Sequence, residues 1–488
     1  MVRSRSVAAV VVALLAVVGV SCSSTGTQQA QGDASTTAAP PSTEAPREAP
    51  KRIPLDKLID TSFESIEAYW TETFPEVYGD EYEPISGGFH PYSPDNPPVS
   101  CGGIDFTYEE FADNAFYCQP DDLIMWDEVG LISDLYDTYG QFTVAFVFAH
   151  EWGHAIQNRS GMWRKNDEIS TIVFELQADC FAAAWARDAM DSGGELSFGQ
   201  SDIPLMVAGA LELADPVGND PTADMAHGSA FDRLGAMEEG FNQGPERCAE
   251  YEDPDKFPAV FEEVFTDQED FDNEGNAPYD DILPAAVADL DAYWQDLSDA
   301  VEHDWIPIGD VVGYAGDEGK YPACGDERLT KAQAVGAVVF CPDDNVVLYD
   351  DDFTREVHGD IGDFGMIILF AHQWAVAFQV QNGQTAGDLY TALQESCFTG
   401  TWTASVVRGD RVTEDEGLSL SPGDLDEGLA AFLAFSEQPD EQGNTEKGNA
   451  FQRIEAFRDG FLNGLDGELV GEQVCAKYTV EQASDGRS

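Results

Sequence analysis

The chain has 488 residues, 43% of them hydrophobic, enough to bury two or three domain cores and to exclude a disordered protein. Its 92 acidic residues against 24 Lys and Arg give a formal net charge of -68, which argues against nucleic acid and anionic membrane surfaces as partners. So acidic a surface suits a chain that works in salt, where short Debye lengths damp its self-repulsion.

Residues 1–22 read as an export signal. Arg3 and Arg5 precede an apolar run from Val7 to Val20, too short for a permanent span and right for a signal core. Gly19-Val20-Ser21-Cys22 resembles the lipobox of bacterial lipoproteins, which would make Cys22 the lipidated first residue of a protein held outside the cytoplasm through that lipid alone. A plain secretory peptide cut near Ser21 is the alternative. Residues 23–55 follow as a flexible tether: from Ser23 to Arg52 there is no aromatic and no aliphatic larger than Ala to bury.

From there the chain is written twice, over 56–265 and 282–485, with an acidic linker at 266–281. "IEAYW" ending at Trp70 answers "LDAYW" ending at Trp294, and "FAHEWGHAIQ" (148–157) answers "FAHQWAVAFQ" (370–379). "ELQADCFAAAW" (175–185) matches "ALQESCFTGTW" (392–402), and "SAFDRLGAMEEGF" (229–241) matches "NAFQRIEAFRDGF" (449–461). With Cys22 set aside, eight cysteines remain, an even number in a chain bound for an oxidising compartment. The repetition favours closing each unit in the same way, as Cys101 with Cys118, Cys180 with Cys248, Cys324 with Cys341, and Cys397 with Cys475. No C-x-x-C spacing suggests a metal instead. In the linker, Asp270-x-Asp272-x-Glu274-Gly275 with Asp281 has the loose outline of a calcium loop, a pattern too short to assign in a chain this acidic.

The chemistry lies in the first copy. "TVAFVFAHEWGHAIQ" has a helical pattern, so His150 and His154, four apart, leave one face and can share a tetrahedral metal. Glu151 stands beside the first ligand, where a carboxylate can take a proton from activated water. A third ligand is needed, and Gln157 and Ser160 stand where the extended metzincin pattern would need Gly and His. Glu175, on a second Ala-rich helix, would complete a His2Glu site, and Asp179, one turn on, would hold an imidazole N–H. His227, before a third helix, is a candidate donor to a developing oxyanion, or else the third ligand itself.

The second copy serves as an internal control. Glu151, His154, Glu175 and Asp179 are answered by Gln373, Val376, Ala392 and Ser396, and His227 by Lys447. Trp152, Gln157, Leu176, Gln177, Cys180 and Trp185 recur, which marks them as residues of the fold. Only His372 remains there, and a lone His on an apolar segment is a core residue before it is a ligand.

HEWGH-x-x-Q, ELQADC-F-A and H-G-S-A-F-D-R together resemble the neutral zinc metallopeptidases of bacteria, from about Trp70 to Cys248 and in degraded form beyond. The resemblance implies an α+β chain of two tandem zincin-like domains, mostly helical around the site, with the second copy degenerate. It implies one Zn2+ per chain on His150, His154 and Glu175, a gluzincin-like set, with Glu151 as catalyst and a peptide or protein as substrate. The second domain would be a non-catalytic partner that packs on the first or shapes its cleft. The rival expectation is a surface binding or scaffold lipoprotein with a structural zinc.

Overall fold

The computed structural model describes residues 52–478, apart from 166–168, 193–195, 197, 200–201, 219–225, 262–263, 267, 302, 385–386, 412–416, 437–444, 446 and 468–470. The signal segment, Cys22 and nearly all of the tether lie outside the described residues. The architecture mixes α and β, with helix dominant.

In the first half α1 (Leu55–Tyr78) leads to β1 (Gly88–Tyr92), β2 (Ala115–Cys118) and β3 (Leu123–Asp127). Helices α2 (Leu131–Thr138), α3 (Gln141–Ser160), α4 (Thr171–Ser192), α5 (Ile203–Glu212) and α6 (Ala230–Gln243) follow. The second half runs through α7 (Tyr279–Val301), β4 (Asp310–Tyr314), β5 (Val338–Cys341) and β6 (Val346–Asp350). It ends with α8 (Asp351–Asp360), α9 (Asp363–Gln381), α10 (Leu389–Val407), α11 (Asp424–Phe435) and α12 (Ala450–Gly464). Each half has one three-stranded sheet. In the first, β3 is central, parallel to β1 and antiparallel to β2; in the second, β6 is central, parallel to β4 and antiparallel to β5.

Local chemistry explains the elements that position the site. Strand β3 is the apolar run LIMW closed by Asp127, buried at every position, as a central strand covered on both faces requires. Helix α3 is buried from Phe142 to Gln157; a helix apolar all round belongs in a core. It ends where Gly161 turns left-handed (φ 85°) and returns its N–H to the Gln157 carbonyl. Within it Gly153 lets α4 approach closely, since a Cβ there would stand 2.7 Å from the Ala178 Cα. That contact sets the two helices that carry the candidate ligands side by side.

The four expected disulfides all form: Cys101–Cys118, Cys180–Cys248, Cys324–Cys341 and Cys397–Cys475. The first and third tie the segments around Cys101 and Cys324 to β2 and β5, and the others tie α4 and α10 to the short helices Pro245–Ala249 and Gly471–Cys475. Recurrent residues repeat their bonds as well. Gln177 donates to the Cys248 carbonyl and Gln394 to that of Cys475, while Gln157 and Gln379 donate to the Phe174 and Thr391 carbonyls.

Separate cores were expected, and instead one hydrophobic core runs through both halves. Their contact is reciprocal. Phe231 packs on Phe461 at 5.2 Å and Phe241 on Phe451 at 5.7 Å, so each matched pair of positions meets crosswise, as in an isologous interface. Glu238 and Arg458, which occupy one matched position, form an ion pair at 3.4 Å. The linker is no free spacer: Gln268–Asp272 is helical, α7 starts at Tyr279, and Asp270, Asp272, Glu274 and Asp281 do not converge as metal donors among the described residues.

Candidate metal centre

Three donor atoms converge between α3 and α4. His150 Nε2 lies 3.2 Å and His154 Nε2 3.5 Å from Glu175 Oε2. Ligands on a tetrahedral zinc at about 2.05 Å stand about 3.3 Å apart, so this spacing fits that ion. The far ring nitrogens are fixed from behind, as metal-binding imidazoles require. His150 Nδ1 is 2.8 Å from Asp179 Oδ1, and His154 Nδ1 is 3.0 Å from Gln157 Oε1. With both Nδ1–H groups donating outward, both Nε2 atoms are left to face the same point. Asp179 is fully buried and is in turn gripped by Arg233, whose Nε and Nη2 donate to it at 2.7 and 2.8 Å. Arg233 Nη1 closes the chain on the Leu213 carbonyl at 2.7 Å.

The electrostatics call for a cation. Burial alone would lower the His150 imidazole, yet Asp179 and Glu175 on its two nitrogens push it up to about 10. His154 is likewise raised against its burial by Glu175. Burial opposes the charge on Glu175, but the two imidazoles hold its carboxyl well below the usual range. Without a metal, the site takes up protons where positive charge is missing.

Glu151 sits one residue from His150, 5% exposed, and burial pushes its carboxyl up. Its Oε2 has no hydrogen-bond partner among the described residues, which is costly for a buried carboxylate that serves only the fold. His150, Glu151, His154 and Glu175 open into a cleft of about 630 Å³ that His227 also lines. His227 is not in the converging trio, and its side chain is 40% exposed. Asp215, which sequence reasoning missed, accepts the His227 backbone N–H at 2.7 Å and stands 3.4 Å from its Nδ1. One wall of the cleft is β2, which among the described residues is an edge strand with β3 as its neighbour in the sheet, through Ala115, Phe116 and Tyr117.

Among the described residues, none from the second half lines this cleft. The second half reaches the site from behind: Asp426 accepts the N–H groups of Ala230 and Phe231, at 3.2 and 2.8 Å, where α6 begins three residues after His227. At the place that matches the candidate centre, His372 faces Glu395 at 3.3 Å and Arg453 at 3.4 Å. Arg453 also donates to Ser396. Burial, with Arg453 and Lys447 nearby, holds the His372 imidazole well below its ordinary value.

The family described as "Putative neutral zinc metallopeptidase" matches residues 3–251. Among curated proteins, the uncharacterized protein YpfJ of Escherichia coli strain K12 is 28% identical over 158 residues, covering 27% of this chain and 52% of the relative. An uncharacterized protein of Mycobacterium tuberculosis is 28% identical over 156 residues, covering 27% of this chain and 53% of the relative. The chain thus spans about half the length of the curated relatives it matches. No solved structure matches it.

Proposed function

The chain belongs to the neutral zinc metallopeptidase family, and from that premise we propose that its first half is a zinc-dependent endopeptidase with one active centre per chain. The observation that carries this reading is the pairing of a His2Glu donor set with a buried, unpartnered carboxylate oxygen beside it. A structural zinc would fill its coordination with protein ligands and would need no such neighbour.

His150, His154 and Glu175 would hold the ion, which supplies electrophilic activation of water and of a substrate carbonyl. Glu151 takes the proton as water attacks, then delivers it to the departing amine; its raised carboxyl suits both tasks. Asp179 and Gln157 fix the imidazoles so that Nε2 faces inward. His227, held by Asp215, donates to the oxyanion that forms. Edge strand β2 offers an extended substrate a backbone to pair with, which favours peptides.

The chain is read as a duplication whose second copy has lost its chemistry and buttresses the first. The cysteine pairs and the signal-like leader suit an exported protein held at the membrane through Cys22.

The test is cleavage of unfolded casein by the full chain. The Glu151→Gln variant, which copies Gln373, should lose roughly 10²- to 10⁴-fold in rate while keeping its zinc. Equal activity in that variant would overturn the mechanism, and zinc without cleavage of casein or of a peptide library would favour a binding protein.

A further inference from the structure

The second half gathers three carboxyl groups at a place apart from His372, about two and a half turns from it along α9. Asp363 opens α9, while Asp424 and Glu427 lie on the first turn of α11; all three are buried, at 4%, 4% and 6% exposure. One oxygen from each lies within 4.8 Å of the others. Among the described residues no Lys or Arg pairs with any of them.

Backbone amides take part of their hydrogen-bonding capacity. Asp363 Oδ2 accepts from Ala277 N at 2.7 Å, Glu427 Oε2 from Phe364 N at 2.9 Å, and Asp424 Oδ2 from Ser421 N at 2.8 Å. Asp424 Oδ1 is buried and no donor reaches it among the described residues. An acceptor left so is costly unless something positive meets it. The backbone is shaped to admit the group: Gly362, at φ 136°, leaves room that a Cβ would take from the Glu427 carboxylate, 2.0 Å away. Burial, together with mutual repulsion, drives the Asp424 and Glu427 carboxyls well up.

The fold itself does not ask for this. At the matching places the first half carries Gln141, Asp202 and Leu205, with one carboxylate satisfied by Gly199 N at 2.9 Å.

We propose that Asp363, Asp424 and Glu427 bind a calcium ion that fastens the 270–277 segment to the second half. The donors are all oxygen, which selects a hard cation over zinc. Buried carboxylates that reach the site from separate elements suit calcium, which takes about 6–8 oxygens in flexible geometry, better than magnesium, which demands a near-octahedral shell and keeps several waters. The segment is already seated there. Asn276 Oδ1 accepts from Asp363 N at 2.8 Å, and Ser421 Oγ donates to Asp270 Oδ1 at 3.0 Å.

The experiment uses the full chain with its zinc site saturated, in high salt so that the surface acids are screened. Calcium binding is measured by equilibrium dialysis and thermal unfolding is followed with calcium or magnesium. One calcium should bind per chain and raise the unfolding midpoint by about 3–10 °C at a concentration about a hundredfold above Kd. Magnesium should not reproduce the shift. Asp424→Asn, and separately D363Q/E427L, which writes in the residues of the first half, should abolish binding and shift while zinc content stays unchanged. No bound calcium in the wild type, equal binding in the folded Asp424→Asn variant, or an equal shift with magnesium would overturn the site. Because zinc content and cleavage are read separately, failure here leaves the peptidase reading standing.

Discussion

The two halves share strand order, helix order and disulfides, yet they solve one electrostatic problem in opposite ways. In the first, Arg233 is turned away from the imidazoles and spent on Asp179, which leaves His150, His154 and Glu175 short of positive charge. In the second, Asp179 is replaced by Ser396, and the matching Arg453 stands against His372 with Glu395 beside it. A tethered guanidinium there supplies the charge that a metal would bring. The difference teaches that the second half differs by more than missing ligands: the arginine at the matching place has other partners, and it stands where the first half gathers its donor atoms.

That comparison can be broken at several points, beginning with the largest effect. Glu175→Ala, which copies Ala392, should remove zinc and bring casein cleavage to background; retained cleavage would mean that another group completes the site. His227→Ala should lower kcat by about 10²- to 10³-fold with zinc content unchanged, the loss seen when an oxyanion donor is removed. If zinc is lost as well, His227 is a ligand and not a donor. Asp179→Ser should weaken zinc binding about 10- to 100-fold by freeing the His150 ring and leaving Arg233 unpaired. Titration with a zinc chelator reads that shift. Phe461→Ala, at the reciprocal contact between the halves, should cost about 3–5 kcal/mol in urea unfolding. A much smaller cost would show that the halves are held elsewhere.

Much of this was legible in the sequence because it is periodic and local. The four-residue spacing of His150 and His154 sets one helical face, and the repeated 17-residue cysteine interval favours two of the pairings that eight cysteines alone would leave open. Glu175 and Asp179 emerged because the second copy lacks them. Arg233 did not: Arg453 stands at the matching place, so comparing the two halves does not single it out, although its partner changes from Asp179 to the His372 neighbourhood. Asp215 and Glu395 were hidden for a related reason, since an acid in a chain with 92 of them carries no signal until its neighbours in space are known. The continuous core was illegible as well. Phe231 and Phe241 lie about 220 residues before Phe451 and Phe461 on separate helical segments, and only the packing shows that they face one another.

The most direct test is an anomalous difference map recorded at the zinc absorption edge from a crystal of the full chain. The account predicts a single zinc peak among His150 Nε2, His154 Nε2 and Glu175 Oε2, and none beside His372. A peak between His372 and Glu395, or zinc bound away from His150 and His154, would contradict it.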